Sequence, residues 1–203
     1  MREILIGTGN PSKLELLCSF FDGTGVVCRS PITMGLKCDC AEKAVSAEGN
    51  ALEKALAWHR ASGMAVFTED SGLVLLDLPP NHPDQPGVHV RRVHGETLDD
   101  TAMLAYYRQL VHRHGGQLRA AWQDAYCLLL DEQHYSTWVE SDEDLAASAF
   151  LLRDVPNGLT HPGWPLNSLS YPLDNDAAAH EPRISYHARM KTWIADWVRH
   201  MPT

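Results

Sequence analysis

The sequence predicts an α/β protein, a mixed twisted sheet with flanking helices. Three observations carry that expectation. Glu3 to Gly7 is an apolar run of the buried parallel-strand type, and it leads directly into a helix start at Asn10-Pro11. Short apolar runs, Met64–Phe67 and Leu73–Leu76, flank an acidic stretch in the manner of buried strands. Leu118–Leu130 and Tyr135–Val139 read as an antiparallel hairpin turning at 131–134. Parallel strands early in the chain with a hairpin inserted later make a mixed sheet.

The elements follow in order. A strand over 3–7 precedes a helix over 11–21, with Asn10 as N-cap, Pro11 as first helical residue and Leu14, Leu16, Leu17, Phe20 and Phe21 expected in its apolar stripe. Gly25–Cys28 is a short strand, 30–43 is irregular, and Ser46 to Ser62 is helical. Strands over 64–68 and 72–76 enclose an acidic corner, and the proline-rich run 79–87 excludes regular structure. Thr97 or Asp99 caps a helix whose face carries Met103, Tyr106, Tyr107, Leu110 and Val111, and Gly115-Gly116 ends it. Ala146–Leu152 is expected as a strand and 156–172 as a loop. A final helix over about 186–200 presents Met190, Trp193, Ile194, Trp197, Val198 and Met201 to a core.

At 203 residues the chain is expected to form one domain, 1–203, long enough to bury a sizeable core. A formal charge of −9 argues against a nucleic-acid polymer as partner, since phosphate contacts need a basic face. It leaves room for a nucleotide, because a few lysines and a metal invert the potential locally. No apolar run approaches a membrane span, and the chain starts in a strand rather than a signal peptide. Five cysteines, an odd number without such a signal, point to reduced thiols and a cytoplasmic protein. Cys38-Asp39-Cys40 lacks a second Cys/His pair at zinc spacing nearby, so structural zinc is not expected. His112-Arg113-His114 suits the solvated C-terminal end of a helix.

Two segments carry chemistry. Thr68-Glu69-Asp70-Ser71-Gly72-Leu73 sets adjacent carboxylates at a buried strand end, a costly arrangement without a cation. Hard oxygen donors on a rigid corner suit a divalent metal, with one carboxylate left to deprotonate water. The alternative is a polar turn in which Asp70 and Ser71 bond local backbone. Thr8-Gly9-Asn10-Pro11-Ser12-Lys13 joins a strand to a helix N-terminus, where N–H groups and the dipole favour phosphate and Lys13 adds a charge. It is not a Walker loop, which is longer and richer in glycine. The alternative is an ordinary capped helix with a solvated lysine.

Together these segments resemble the inosine triphosphate pyrophosphatase family, the non-canonical purine nucleoside triphosphate pyrophosphatases. The similarity runs through I-G-T-G-N-P-S-K at 6–13, E-G-N-A-L-E-K-A at 48–55, T-E-D-S-G-L at 68–73 and P-G-V-H-V-R-R at 86–92. The resemblance implies two lobes around a central cleft, a homodimer, Mg²⁺ or Mn²⁺ as cofactor, and hydrolysis of a nucleoside triphosphate to monophosphate and pyrophosphate. It also implies roles. Thr8, Asn10 and Lys13 match the phosphate-binding turn, and Lys54, with Asn50 one turn earlier on its face, matches a triphosphate lysine. Asp70 stands as the catalytic base and a metal ligand, Glu69 as metal ligand or electrostatic partner, and Ser71 as a nucleotide contact or a residue that orients Asp70. Glu42 falls at a further metal carboxylate, with Glu48 as the fallback because Gly49 replaces the usual glutamate. Arg91 and Arg92 follow the Pro-Gly turn within reach of phosphate. Lys13 and Lys54 are both expected on exposed helix faces.

The second half departs from that family. Its purine loop, Gly-Phe-Gly-Tyr-Asp-Pro, is replaced by His161-Pro162-Gly163-Trp164-Pro165-Leu166-Asn167, and the later Ser-His-Arg by Arg183 to Arg189. Trp164 is placed to stack on a base, and Arg183, His187 or Arg189 to bond its edge. The departures put substrate identity in question more than reaction type. A catalytically retired nucleotide-binding or regulatory protein, or a hydrolase of another phosphorylated metabolite, are the competing readings.

Overall fold

The computed structural model describes residues 2–40, 42–93, 95–159, 164–173 and 181–201, with residue 12 and residues 181–187 described by backbone alone. The chain divides into two compact units. The first comprises Met1–Ser71, Asp124–Glu140 and Arg183–Thr203, and the second Gly72–Gln123 and Ser141–Pro182.

The first unit is built on a mixed sheet. β1 (Arg2–Ile6) lies between β2 (Val26–Arg29) and β3 (Val66–Leu75), parallel to both, with Arg2 opposite Val26 and Leu5 opposite Val66. The second half of β6 (Gln117–Asp131) pairs antiparallel with β7 (His134–Val139), Ala125 facing Val139. Neighbours run in the order β2-β1-β3-β6, with β7 on β6.

Alternation along these strands builds two separate cores. Ile4, Ile6, Phe67, Tyr126 and Leu128 point to one face, where they pack with Leu17 and Phe20 and with Met190, Ile194 and Val198. Those partners come from α1 (Pro11–Ser19) and the residues after it, and from α5 (Glu181–Arg199). Phe67 and Tyr126 stack there at 5.7 Å between centroids. The interleaved Leu5, Val66, Cys127 and Leu129 point the other way, onto Ala51 and Ala55 of α2 (Ala47–Ser62). Burial of small alanines lets α2 approach the sheet closely. Its ends are well made, with Ser46 Oγ accepting the Gly49 N–H at 3.1 Å and Gly63 closing the helix in a left-handed conformation.

In the second unit, the first half of β6 pairs with β8 (Phe150–Arg153), and β8 with β9 (Ser170–Pro172), both antiparallel. β4 (Arg92–Val93) and β5 (Glu96–Thr97) form a separate two-residue ribbon. α3 (Asp100–Arg113), capped by Asp99, buries Met103, Tyr107, Leu110 and Val111 against Leu73, Leu75, Leu118 and Leu152.

Several expectations are corrected. The acidic stretch is no corner between two strands. β3 runs unbroken through it, and Gly72 serves close approach, since a Cβ there would meet the Gly87 carbonyl oxygen at 2.9 Å. Residues 146–152 are not all strand: α4 (Asp142–Ala147) comes first, held by a Ser141–Asp144 capping box, and β8 starts at Phe150. Part of the expected 156–172 loop is regular, a 3₁₀ turn over Pro165–Leu169 followed by β9. The last helix starts at Glu181, earlier than its apolar stripe suggested.

Candidate active site

The end of β1, the interior of β3, the N-terminus of α1 and one face of α2 bring the acidic and basic residues of the first unit together. β1 ends at Ile6, Gly7 N–H donates to the Phe67 carbonyl at 2.8 Å, and the chain turns through Thr8-Gly9 into α1. Thr8 Oγ1 accepts the Asn10 N–H at 3.1 Å, and the Asn10 carbonyl accepts from Leu14 N–H at 2.9 Å as the helix begins. Gly7 is required by packing: a Cβ there would lie 2.6 Å from Trp58 Cδ1 and 2.7 Å from Thr68 Cγ2.

Strand alternation then splits the acidic pair. Glu69 shares the face of Phe67, and its carboxylate is gripped by Lys13 Nζ of α1 at 2.7 and 3.0 Å. Asp70 shares the face of Val66 and Thr68, toward α2. There Asn50 Nδ2 donates to Asp70 Oδ2 at 3.0 Å and Lys54 Nζ to Asp70 Oδ1 at 2.6 Å. The same ammonium reaches Glu42 Oε1 at 3.1 Å and the Glu69 carbonyl at 3.3 Å. Asn50 and Lys54 are one helical turn apart, so a single face of α2 supplies both partners of Asp70. Asn50 is itself fixed, its Oδ1 accepting the Ala44 N–H at 3.0 Å, and Thr68 Oγ1 donates to the Ala51 carbonyl at 2.6 Å, locking β3 to α2.

Lys54 is mostly buried, against the expectation of an exposed helix face; Lys13 is 27% exposed. Burial alone would pull the Lys54 ammonium down, but Asp70 and Glu42 outweigh it and hold its pKa above the ordinary value. Glu42 adopts a left-handed backbone conformation, φ 40°, unusual for a residue with a side chain.

The donor set fits a hard divalent cation. Asp70 and Glu42 converge on one ammonium, so two anionic oxygens already surround a cationic centre. Glu69 directs its carboxylate to the opposite face of the strand. Glu48, the fallback for Glu42, accepts from Thr137 Oγ1 at 2.5 Å instead. Gly49 is explained by space, since a Cβ would meet the Ala44 Cβ at 2.6 Å.

The remaining candidates are divided between the two units. Ser71 follows Glu69 on the same strand face. Arg91, in the second unit, donates to Asp100 Oδ1 at 2.7 Å. Trp164, also in the second unit, is exposed just before the 3₁₀ turn. Arg189 is exposed on α5, while the side chains of Arg183 and His187, and residues 160–163, lie outside the described residues. Sequence reasoning placed Asn50 on the right helix face without giving it a role, and missed Thr68. The i, i+4 spacing of Asn50 and Lys54 was the available signal.

The sequence profile of the Ham1 family matches residues 4–142, well over half of the chain. The chain belongs to the Ham1 family. Among Ham1-like relatives, a dITP/XTP pyrophosphatase of Bacillus subtilis (strain 168) is 32% identical over 104 residues, 51% of this chain and 50% of that protein. One of Geobacillus kaustophilus (strain HTA426) is 34% identical over 105 residues, 52% and 50% respectively. The chain thus spans about half the length of the curated relatives it matches. Solved structures agree on the Ham1 fold along nearly the whole chain. A HAM1 protein from Coxiella burnetii superposes with a TM-score of 0.67 at 16% identity, over 99% of this chain and 100% of that one. The Staphylococcus aureus Ham1 protein gives 0.66 at 20% identity, over 98% of each.

Proposed function

We propose that this chain is a magnesium-dependent nucleoside triphosphate pyrophosphatase acting on non-canonical purine nucleotides. The observation that carries the reading is the Asp70–Lys54–Glu42 cluster, braced by Asn50, on the sheet that also carries the Lys13–Glu69 pair. Membership of the Ham1 family and the names of the dITP/XTP pyrophosphatases it resembles support the substrate class. Mg²⁺, held by Asp70 and Glu42, would neutralise phosphate charge and acidify a bound water.

The chain's own residues supply the rest. Asp70 takes a proton from the attacking water, whose oxygen bonds to the α-phosphorus. The bond from that phosphorus to the α–β bridging oxygen breaks, and pyrophosphate leaves with the electron pair. Asn50 fixes the unprotonated Asp70 oxygen, and Lys54 and Lys13 exchange carboxylates for phosphate oxygens as the triphosphate enters. The first-turn N–H groups of α1 and Thr8 and Asn10 add dipolar donors to the same anion. Glu69 acts as the electrostatic partner that keeps Lys13 at the turn. Ser71, Arg91, Trp164, His187 and Arg189 are assigned to nucleotide contacts, Trp164 by stacking on the base. The proposed active form is a homodimer in the cytoplasm; among the described residues no helix is long and apolar enough to cross a membrane.

A panel of ITP, dITP, XTP, ATP and GTP with Mg²⁺, read for pyrophosphate against orthophosphate, tests the proposal. Pyrophosphate released fastest from the inosine or xanthosine nucleotides, abolished by chelator and restored by Mg²⁺ or Mn²⁺, is the expected result. Orthophosphate would move the cleavage point. Binding without turnover would favour a retired nucleotide-binding protein, the reading suggested by the altered 161–167 segment.

A further inference from the structure

The proline-rich run 79–87 and the end of α3 come together through three side chains that the proposed reaction does not use. His114 Nε2 and Asp84 Oδ2 are 2.8 Å apart, and the rings of His82 and His114 meet edge to face at 5.4 Å. One ligand atom from each of His82, Asp84 and His114 lies within 4.8 Å of the other two. Two imidazoles and a carboxylate form the donor set of a zinc-class site with room for a solvent ligand. Magnesium prefers oxygen ligands throughout, so this set discriminates against it.

The surroundings hold the three groups in place. Arg113 Nη2 donates to Asp84 Oδ1 at 3.2 Å, which leaves Oδ2 as the oxygen turned to His114. His82 Nδ1 accepts the Asp84 N–H at 3.1 Å, and Gln85 N–H donates to the His82 carbonyl at 2.9 Å. Gln85 pins the run from beneath, its Nε2 donating to the Leu75 and Leu78 carbonyls at 2.8 and 3.1 Å. Prolines at 79, 80, 83 and 86 remove much of the conformational freedom that a loop would otherwise lose on binding an ion. All three ligand residues are half-buried, so an ion has a path from solvent.

We propose that His82, Asp84 and His114 bind Zn²⁺ and thereby tie the 79–87 segment to the C-terminal end of α3. The ion takes the place of the proton shared by His114 Nε2 and Asp84 Oδ2, with His82 as third ligand and water as fourth. The proposal stands independently of the pyrophosphatase reading.

Calorimetric titration of the full chain with Zn²⁺, in saturating Mg²⁺, tests it. Wild type is expected to bind one zinc that the His82→Ala and His114→Ala variants lose, while Cys38→Ser/Cys40→Ser retains it. Zinc should raise the melting temperature of wild type and leave that of His82→Ala unchanged. NMR of wild type covers the event that a variant folds poorly: the imidazole resonances of His82 and His114 should move together on adding one equivalent. Zinc bound by both histidine variants with wild-type affinity, zinc that shifts other histidines only, or no binding by wild type would each overturn the assignment.

Discussion

Lys54 answers three acceptors at once: Asp70, Glu42 and the Glu69 carbonyl. An ammonium so placed both holds the protein together and stands ready for phosphate, and the two roles separate by mutation. Lys54→Ala should weaken triphosphate binding by about 1.5–3 kcal/mol, the worth of a charge-assisted contact. It should also lower the melting temperature, because Asp70 is left buried beside Glu42 without its cation. Adding Asp70→Asn to Lys54→Ala should recover part of that loss, a coupling that a double-mutant cycle by denaturant unfolding measures. Strictly additive losses would show that the pair does not stabilise the fold. Asp70→Asn alone keeps an acceptor for Lys54 yet cannot take a proton. Its rate should fall by about 10²–10⁴-fold with nucleotide affinity retained, measured across a magnesium series. A near-normal rate at low magnesium would defeat the assignment of Asp70 as base.

At the scale of elements, the site depends on how closely α2 lies against the end of β1. Gly7→Ala would drive a methyl into Trp58 and Thr68. Neither can yield freely, since Thr68 is bonded to the Ala51 carbonyl and Trp58 packs on the core under α2. Overpacking of this kind costs about 1–3 kcal/mol, and urea unfolding should show it with the slope unchanged. Wild-type stability would mean that the contact relaxes. The two helices that carry the site's lysines were legible in the sequence, α1 from its local start at Asn10-Pro11 and α2 as the helical run Ser46–Ser62. β3 was not, because polar residues and a glycine read locally as a turn. The strand persists because Lys13 and Lys54 answer Glu69 and Asp70 from opposite faces, partners far away in sequence. The short α4 was masked by the apolar residues around it, although Ser141 and Asp144 had the spacing of a capping box. The pairing of Asp84 with His114 likewise needed the fold, since thirty residues separate them.

Over the whole molecule, the buried ionisable groups shape stability in alkali. Burial pushes the Cys127 thiol from 9.0 up to about 12, with Glu48 adding to the rise, and burial with the neighbouring Cys18 does the same to Cys28. Tyr107 is raised by burial and by Tyr106, and Lys54 is raised by Asp70 and Glu42 against its own burial. In every case the folded chain keeps a proton that the unfolded chain has released. Each contribution is therefore intact below the unfolded pKa and declines as pH climbs toward the folded value. The thiols act first, from about pH 9, and Tyr107 and Lys54 join above pH 10. A single group wholly protonated in the fold and ionised outside it costs about 1.4 kcal/mol per pH unit. Unfolding free energy should thus be nearly level from pH 7 to 8.5 and fall with a steepening slope from pH 9 to 11. Cys127→Ala removes one titrating group at the expense of a small cavity, so its curve should start lower yet descend less steeply between pH 9.5 and 11. Denaturant titrations of both proteins at half-unit pH steps make the comparison, and parallel curves would mean that Cys127 titrates alike in both states.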